Sequence, residues 1–122
     1  MIEGGIVTVY VSDMERAVRF YTETLGLELA HRGGPSWTVV RAPDGFNVGL
    51  HEAMDRAPVG ESGSTTLGFR IEGELKDVVG RLTAEGVEFV GDITEETAVP
   101  LAYFRDPDGN RMYLVEQRGA HG

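Results

Sequence analysis

Few side chains in this sequence can do chemistry near neutral pH. The 122 residues include no cysteine and only three histidines, so disulfides, thiolate metal sites and cysteine nucleophiles are excluded. Histidine is the side chain whose ordinary pKa lies nearest neutrality. His51, in NVGLH at 47–51, is the candidate general base, and Tyr113, in RMYLVE at 111–116, the candidate acid or oxyanion donor. His31 and His121 stand far from His51 in the sequence, and scattered histidines without a facing carboxylate are a weak signal for a metal. Asp106 and Asp108 look like paired carboxylates, but Pro107 and Gly109 beside them are turn chemistry. Tyr10, Trp37 and Tyr103 supply aromatic surface for a flat or amphiphilic ligand.

These residues must be positioned by strands. IVTVYV at 6–11 is rich in β-branched and aromatic residues and reads as a strand. Ser12 and Asp13 then offer N-cap chemistry to a helix whose apolar residues Met14, Ala17, Val18, Tyr21 and Leu25 recur at helical spacing. Glu15 and Glu23 flank Arg19 at helical spacing, and Gly26 is placed to close the helix. Strands are expected at 27–30, 37–41 and 47–51, with the Pro43-Asp-Gly45 turn before the last. After the polar, Gly- and Pro-containing stretch 52–64, a strand at 65–71, a helix at 74–85 and strands at 87–90, 101–104 and 111–116 follow. The apolar face of the second helix carries Leu75, Val78, Val79 and Leu82. Residues 91–100, holding Asp92, Glu95 and Glu96, read as a long loop that could close over a cation, and 118–122 as a frayed tail.

Side chains alternate between the faces of a strand. Val7, Val9 and Val11 therefore form the set packed on the helix, while Ile6, Thr8 and Tyr10 face away. By the same rule Asn47, Gly49 and His51 oppose Val48 and Leu50, Thr66, Gly68 and Arg70 oppose Leu67, Phe69 and Ile71, and Tyr113 opposes Met112 and Leu114. Trp37 suits a plug of the core as well as a stacking platform. Tyr103 faces either the helix or the ligand side, with Phe104 taking the other. Arg70 is placed to pair an acidic ligand or a carboxylate of a second subunit.

The sequence also repeats itself. Residues 11–30 lie over 71–90, matching Val11 to Ile71, Val18 to Val78, Gly26 to Gly86 and Glu28 to Glu88. RAPDG at 41–45 returns as RDPDG at 105–109, and Leu50 matches Leu114. The offset grows from about 60 to about 64, as a longer loop in the second copy would cause. The doubling implies an α+β fold: two tandem β-α-β-β-β modules forming a pseudo-twofold molecule with a cleft between related sheets. One domain is expected over 1–122, with module one at 4–52, a linker at 53–63 and module two at 64–117.

Composition narrows the function classes. Twenty acidic residues against eleven basic ones give a net charge of −9, which argues against nucleic acid, whose binding rests on neutralised phosphates. The same charge suits a cationic small ligand as well as simple solubility. No apolar run reaches the length of a membrane span, and MIEGGIVTVYV lacks the basic start of a signal peptide. A cytoplasmic protein is the expectation.

The string at 9–27, containing VSD and ERAVRFYTETLGL, together with FRDPDGNRMYLVE at 104–116, resembles the vicinal oxygen chelate superfamily. That superfamily includes glyoxalase I, extradiol dioxygenases, fosfomycin-modifying transferases and bleomycin-resistance proteins. The resemblance spans nearly the whole chain and implies paired β-α-β-β-β modules, each curling a mixed sheet around half of a cleft with its helix on the outer face, and a homodimer. It also implies four metal-ligand positions, on the first and fourth strands of each module, which here are Ile6, Gly49, Thr66 and Tyr113. Isoleucine and glycine offer no donor, and a neutral threonine or tyrosine is a poor ligand. The expectation is thus a small-molecule-binding protein of the bleomycin-resistance kind, with no metal and no cofactor. Its ligand, cationic or aromatic, would lie against Tyr10, Trp37, His51, Tyr103 and Tyr113. The alternatives are a lyase, isomerase or dioxygenase-like enzyme using His51 as base or a relocated metal site, and a regulatory or structural dimer with no small-molecule role.

Overall fold

Each run of β-branched residues forms a strand, and each amphipathic run forms a helix laid across the sheet that the strands build. The computed structural model describes residues 1, 5–52, 66–94 and 100–116. The chain divides into two compact units, Met1–Glu61 and Ser62–Gly122. The first contains β1 (Val7–Val11), α1 (Met14–Arg19) continued by a π-helical turn (Phe20–Thr24), β2 (Glu28–Arg32), β3 (Trp37–Arg41) and β4 (Asn47–Glu52). The second contains β5 (Leu67–Ile71), α2 (Leu75–Ala84), β6 (Glu88–Thr94), β7 (Leu101–Arg105) and β8 (Arg111–Glu116). The architecture is α+β, with the β-α-β-β-β order twice.

The two sheets have the same topology. In the first the order is β1-β4-β3-β2, and in the second β5-β8-β7-β6. The first strand of each unit pairs parallel to the last, and the other pairings are antiparallel. The registers repeat as well: Thr8 lies opposite Gly49, and Gly68 opposite Tyr113. These are the offsets of 60 and 64 found in the sequence.

Alternation then separates the two faces of each sheet. In the first unit Val9, Val11, Val40, Val48 and Leu50 are buried together with Met14, Ala17 and Tyr21, where α1 crosses β3 and β4. In the second, Leu67, Ala102, Phe104, Met112 and Leu114 are buried with Leu75 and Leu82, and α2 lies over β6, β7 and β8. Removing such side chains from water stabilises by roughly 1.5–3 kcal/mol for each large one. Val78 and Val79 are half-buried on α2. Thr38 shares the core side of β3, with its hydroxyl buried and unpartnered among the described residues.

The helix ends show how the sequence sets these elements. Asp13 caps α1, its carboxylate accepting from the Arg16 amide at 3.1 Å. Glu15 forms an ion pair with Arg32 of β2. The Thr22 hydroxyl donates to the Val18 carbonyl at 2.6 Å, competing with the backbone ladder, and Leu25 N–H reaches back five residues to Phe20 O. The expected single α-helix therefore finishes as a π-turn, with Tyr21 fully buried within it. Gly26 and Gly86, matched in the repeat, both close their helices at positive φ, 81° and 97°, a conformation that costs glycine little.

A second device joins each helix to the far end of its unit. A carboxylate oxygen of Glu52, the last residue of β4, accepts from the Met14 amide at 2.9 Å. Glu116, the last residue of β8, does the same for the Leu75 amide at 3.0 Å. Because the first strand runs parallel to the last, the start of the helix emerges beside the end of that last strand.

Two sequence expectations are corrected. The long loop expected over 91–100 is strand at its start, because β6 runs on to Thr94 through a register shift after Val90; Gly91 adopts φ 74° there, so it serves a bulge. Strand β1 begins at Val7, leaving Ile6 ahead of it and 46% exposed. Glu95, Glu96, His121, the linker at 53–63, the start of module two at 64–65 and the tail lie outside the described residues.

Candidate functional site

The face of each sheet turned away from its helix carries the chemistry-bearing residues. In the first unit, register sets Trp37 of β3, His51 of β4 and Tyr10 of β1 in one row across three neighbouring strands. The Trp37 and His51 rings are 6.1 Å apart edge-on, and the His51 and Tyr10 rings 5.6 Å apart and tilted. All three are half-buried. The next row holds Thr8, Gly49 and Val39. A Cβ at Gly49 would stand 2.3 Å from the tip of the Trp37 indole, and one at Gly33 would stand 3.0 Å from its pyrrole side. Two glycines thus leave room for a flat indole lying across the sheet. In the last row the Arg41 guanidinium donates to the Asn47 amide oxygen at 2.7 Å. His31 sits on the edge strand β2 opposite Val39, in a different row from His51.

The second unit fills its corresponding face differently. Its middle row is Gly68, Tyr113 and Tyr103, with the tyrosine rings 5.7 Å apart. A Cβ at Gly68 would come within 2.2 Å of the Tyr113 ring, so this ring lies directly over the β5 backbone. Tyr103 faces this side and Phe104 is buried against the helix, which resolves the choice alternation left open. Arg105 and Arg111 stand opposite each other in the next row. The Arg111 guanidinium carbon is 4.7 Å from the Tyr103 ring centre, and Arg105 donates to the Gly109 carbonyl at 3.3 Å. Arg70 and Val115 make up the row on the other side of the tyrosines.

The candidate residues therefore fall into two groups: Tyr10, Trp37 and His51 on one unit, and Tyr103 and Tyr113 on the other. Gly33, Gly68, Arg105 and Arg111 join them without having been singled out in the sequence. For Gly68 and Arg111 the signal was present, since each shares a strand face with a named position by alternation. The four positions at which the resemblance leads one to expect metal ligands are an exposed Ile6, a Gly49 covered by indole, an exposed Thr66 and a Tyr113 stacked over Gly68. Among the described residues, no group of three His, Cys, Asp or Glu side chains is placed to hold a metal ion. Asp106 is buried and spends its carboxylate on its own turn, accepting from the amides of Asp108 and Asn110 at 3.0 and 2.8 Å and from the Asn110 side chain at 2.9 Å. Among the described residues, no helix is long and apolar enough to cross a membrane.

Doubled β-α-β-β-β units with this strand order define a class. The family profile of the Glyoxalase/Bleomycin resistance protein/Dioxygenase superfamily matches residues 5–114, and the chain belongs to that superfamily. It is 34% identical to the uncharacterized protein YetH of Bacillus subtilis (strain 168), across 92% of this chain and 96% of YetH. Among solved structures it is similar to the genomically encoded fosfomycin resistance protein FosX of Listeria monocytogenes, with a TM-score of 0.77 and 21% identity over 96% of this chain and 93% of FosX. A virulence protein of Salmonella typhimurium is similar at a TM-score of 0.75 and 24% identity, covering 95% of this chain and 97% of that one. At such identities these two likenesses bear on the fold.

Proposed function

We propose that the protein is a metal-independent small-molecule-binding member of this superfamily, sequestering an aromatic or amphiphilic ligand on the helix-free faces of its sheets. The observation carrying this reading is the replacement of potential ligand positions by ring-supporting ones. At Gly49 the space a coordinating side chain would need is taken by the Trp37 indole. At Tyr113 the side chain lies over Gly68 and against Tyr103. Each helix-free face offers half-buried rings with polar edges, Tyr10, Trp37 and His51 on the first unit and Tyr103 and Tyr113 on the second, which suits burial and stacking of a flat molecule. A homodimer in the cytoplasm remains part of the proposal, resting on the resemblance and the composition; sedimentation of the purified protein tests its first half.

The decisive experiment is metal stoichiometry by elemental analysis, after incubation with Zn, Mn, Ni, Fe(II) and Co and then dialysis. The expected uptake is below about a tenth of an equivalent of each. Uptake near one equivalent per chain, lost on His51→Ala, would overturn the proposal and establish an enzyme with a relocated site.

A further inference from the structure

Arg105 and Arg111 are directly opposed across β7 and β8, on the same face as Tyr103 and Tyr113. Like charges facing each other across a strand pair repel and cost stability. Here the pair stands in a chain with 20 acidic residues and only 11 basic ones. A third arginine, Arg70, shares the face on the far side of the tyrosines. The carboxylates on the edge strand are Glu88, opposite Arg105, and Asp92, in the bulge further along. Arg111 itself is engaged by the Tyr103 ring, a contact that consumes none of its hydrogen-bond donors.

We propose that Arg105 and Arg111 form the anion-binding end of a ligand site whose aromatic body is taken by Tyr103 and Tyr113, and that the ligand is a planar aromatic carboxylate. This rests on the reading of the helix-free faces as ligand-binding and adds the sign of the ligand's charge, opposite to that suggested by the net charge. The guanidinium fork matches a carboxylate in two parallel hydrogen bonds, and an anion between the two arginines relieves their repulsion. The row order sets the shape: the charged group sits one strand residue-pair from the ring-binding row, so a carboxylate attached directly to a fused ring spans the two.

Calorimetric titration with three probes of one shape tests it: 2-naphthoate, 2-naphthylmethanol and 2-naphthylmethylammonium. Naphthoate should bind at least about tenfold more tightly than the ammonium compound, and more weakly as salt is raised. Arg111→Gln should remove about tenfold of the naphthoate affinity and leave naphthylmethanol unchanged. Arg111→Lys, which keeps the charge and loses the fork, should fall between them. A matching circular dichroism melt shows that each variant is folded. If the ammonium probe binds as well as naphthoate, or Arg111→Gln weakens all three probes alike, the anion site is overturned while the binding protein stands. If none of the three binds, both are overturned.

Discussion

The indole of Trp37 occupies the volume that a side chain at residue 49 would need: a Cβ there would be 2.3 Å from its Cη2 atom. Gly49→Ala must therefore displace the ring. Since Trp37 is the only tryptophan, its fluorescence reports the event without interference. The expected result is a red-shifted emission and a stability loss of about 1–3 kcal/mol in urea titration. An unchanged spectrum would mean that the indole does not rest on the β4 backbone.

Gly68 and Tyr113 allow a cleaner test, because removing the ring should remove the clash. Gly68→Ala alone is expected to cost about 1–3 kcal/mol. In a Tyr113→Ala background the same substitution should cost under about half as much, giving a coupling of about 1 kcal/mol or more in a double-mutant cycle. Additive costs would show that the two positions do not touch.

The long-range caps rank in a definite order. Asp13 supplies α1 with a local side-chain cap in addition to Glu52, whereas Glu74 gives α2 no such bond and leaves Glu116 to serve. Glu116→Ala should therefore destabilise by about 1–2 kcal/mol and Glu52→Ala by less. Glu52→Gln, which keeps an acceptor oxygen, should lose only a few tenths of a kcal/mol. Chemical denaturation of the three variants checks the ranking.

Thr38 is fully buried with its hydroxyl unpartnered among the described residues. Valine has nearly the same shape and nothing to satisfy. Thr38→Val should stabilise the protein by about 1 kcal/mol or more, raising the urea midpoint without changing the slope. A destabilised variant would reveal a partner for that hydroxyl.

What the sequence disclosed was whatever depends on period and repetition. Alternation placed Tyr10 and His51 on one face, and the 60-to-64 offset anticipated the matched registers of Thr8 with Gly49 and Gly68 with Tyr113. Gly26 and Gly86 were legible because helix closure is local. Contacts between distant residues were not. Glu52 and Met14 are 38 residues apart, and Glu116 and Leu75 41, so no capping motif read within one turn could find them. The match of Glu52 to Glu116 at offset 64 was the available hint. The π-turn escaped because Thr22 bonding back to Val18 leaves the apolar spacing of the helix nearly unchanged. The opposed Arg105 and Arg111 required the strand register itself.

The bond that the Met14 amide donates to Glu52 also fixes an order of events during synthesis. The acceptor is made 38 residues after the donor, which at ~5–20 residues per second takes about 2–8 s, whereas helix and hairpin formation take microseconds. Throughout that interval β1 also lacks β4, the strand beside which it lies. The first unit is thus completed by its final strand, and a nascent chain stalled before Glu52 would hold its helix without this cap and its opening strand without this neighbour.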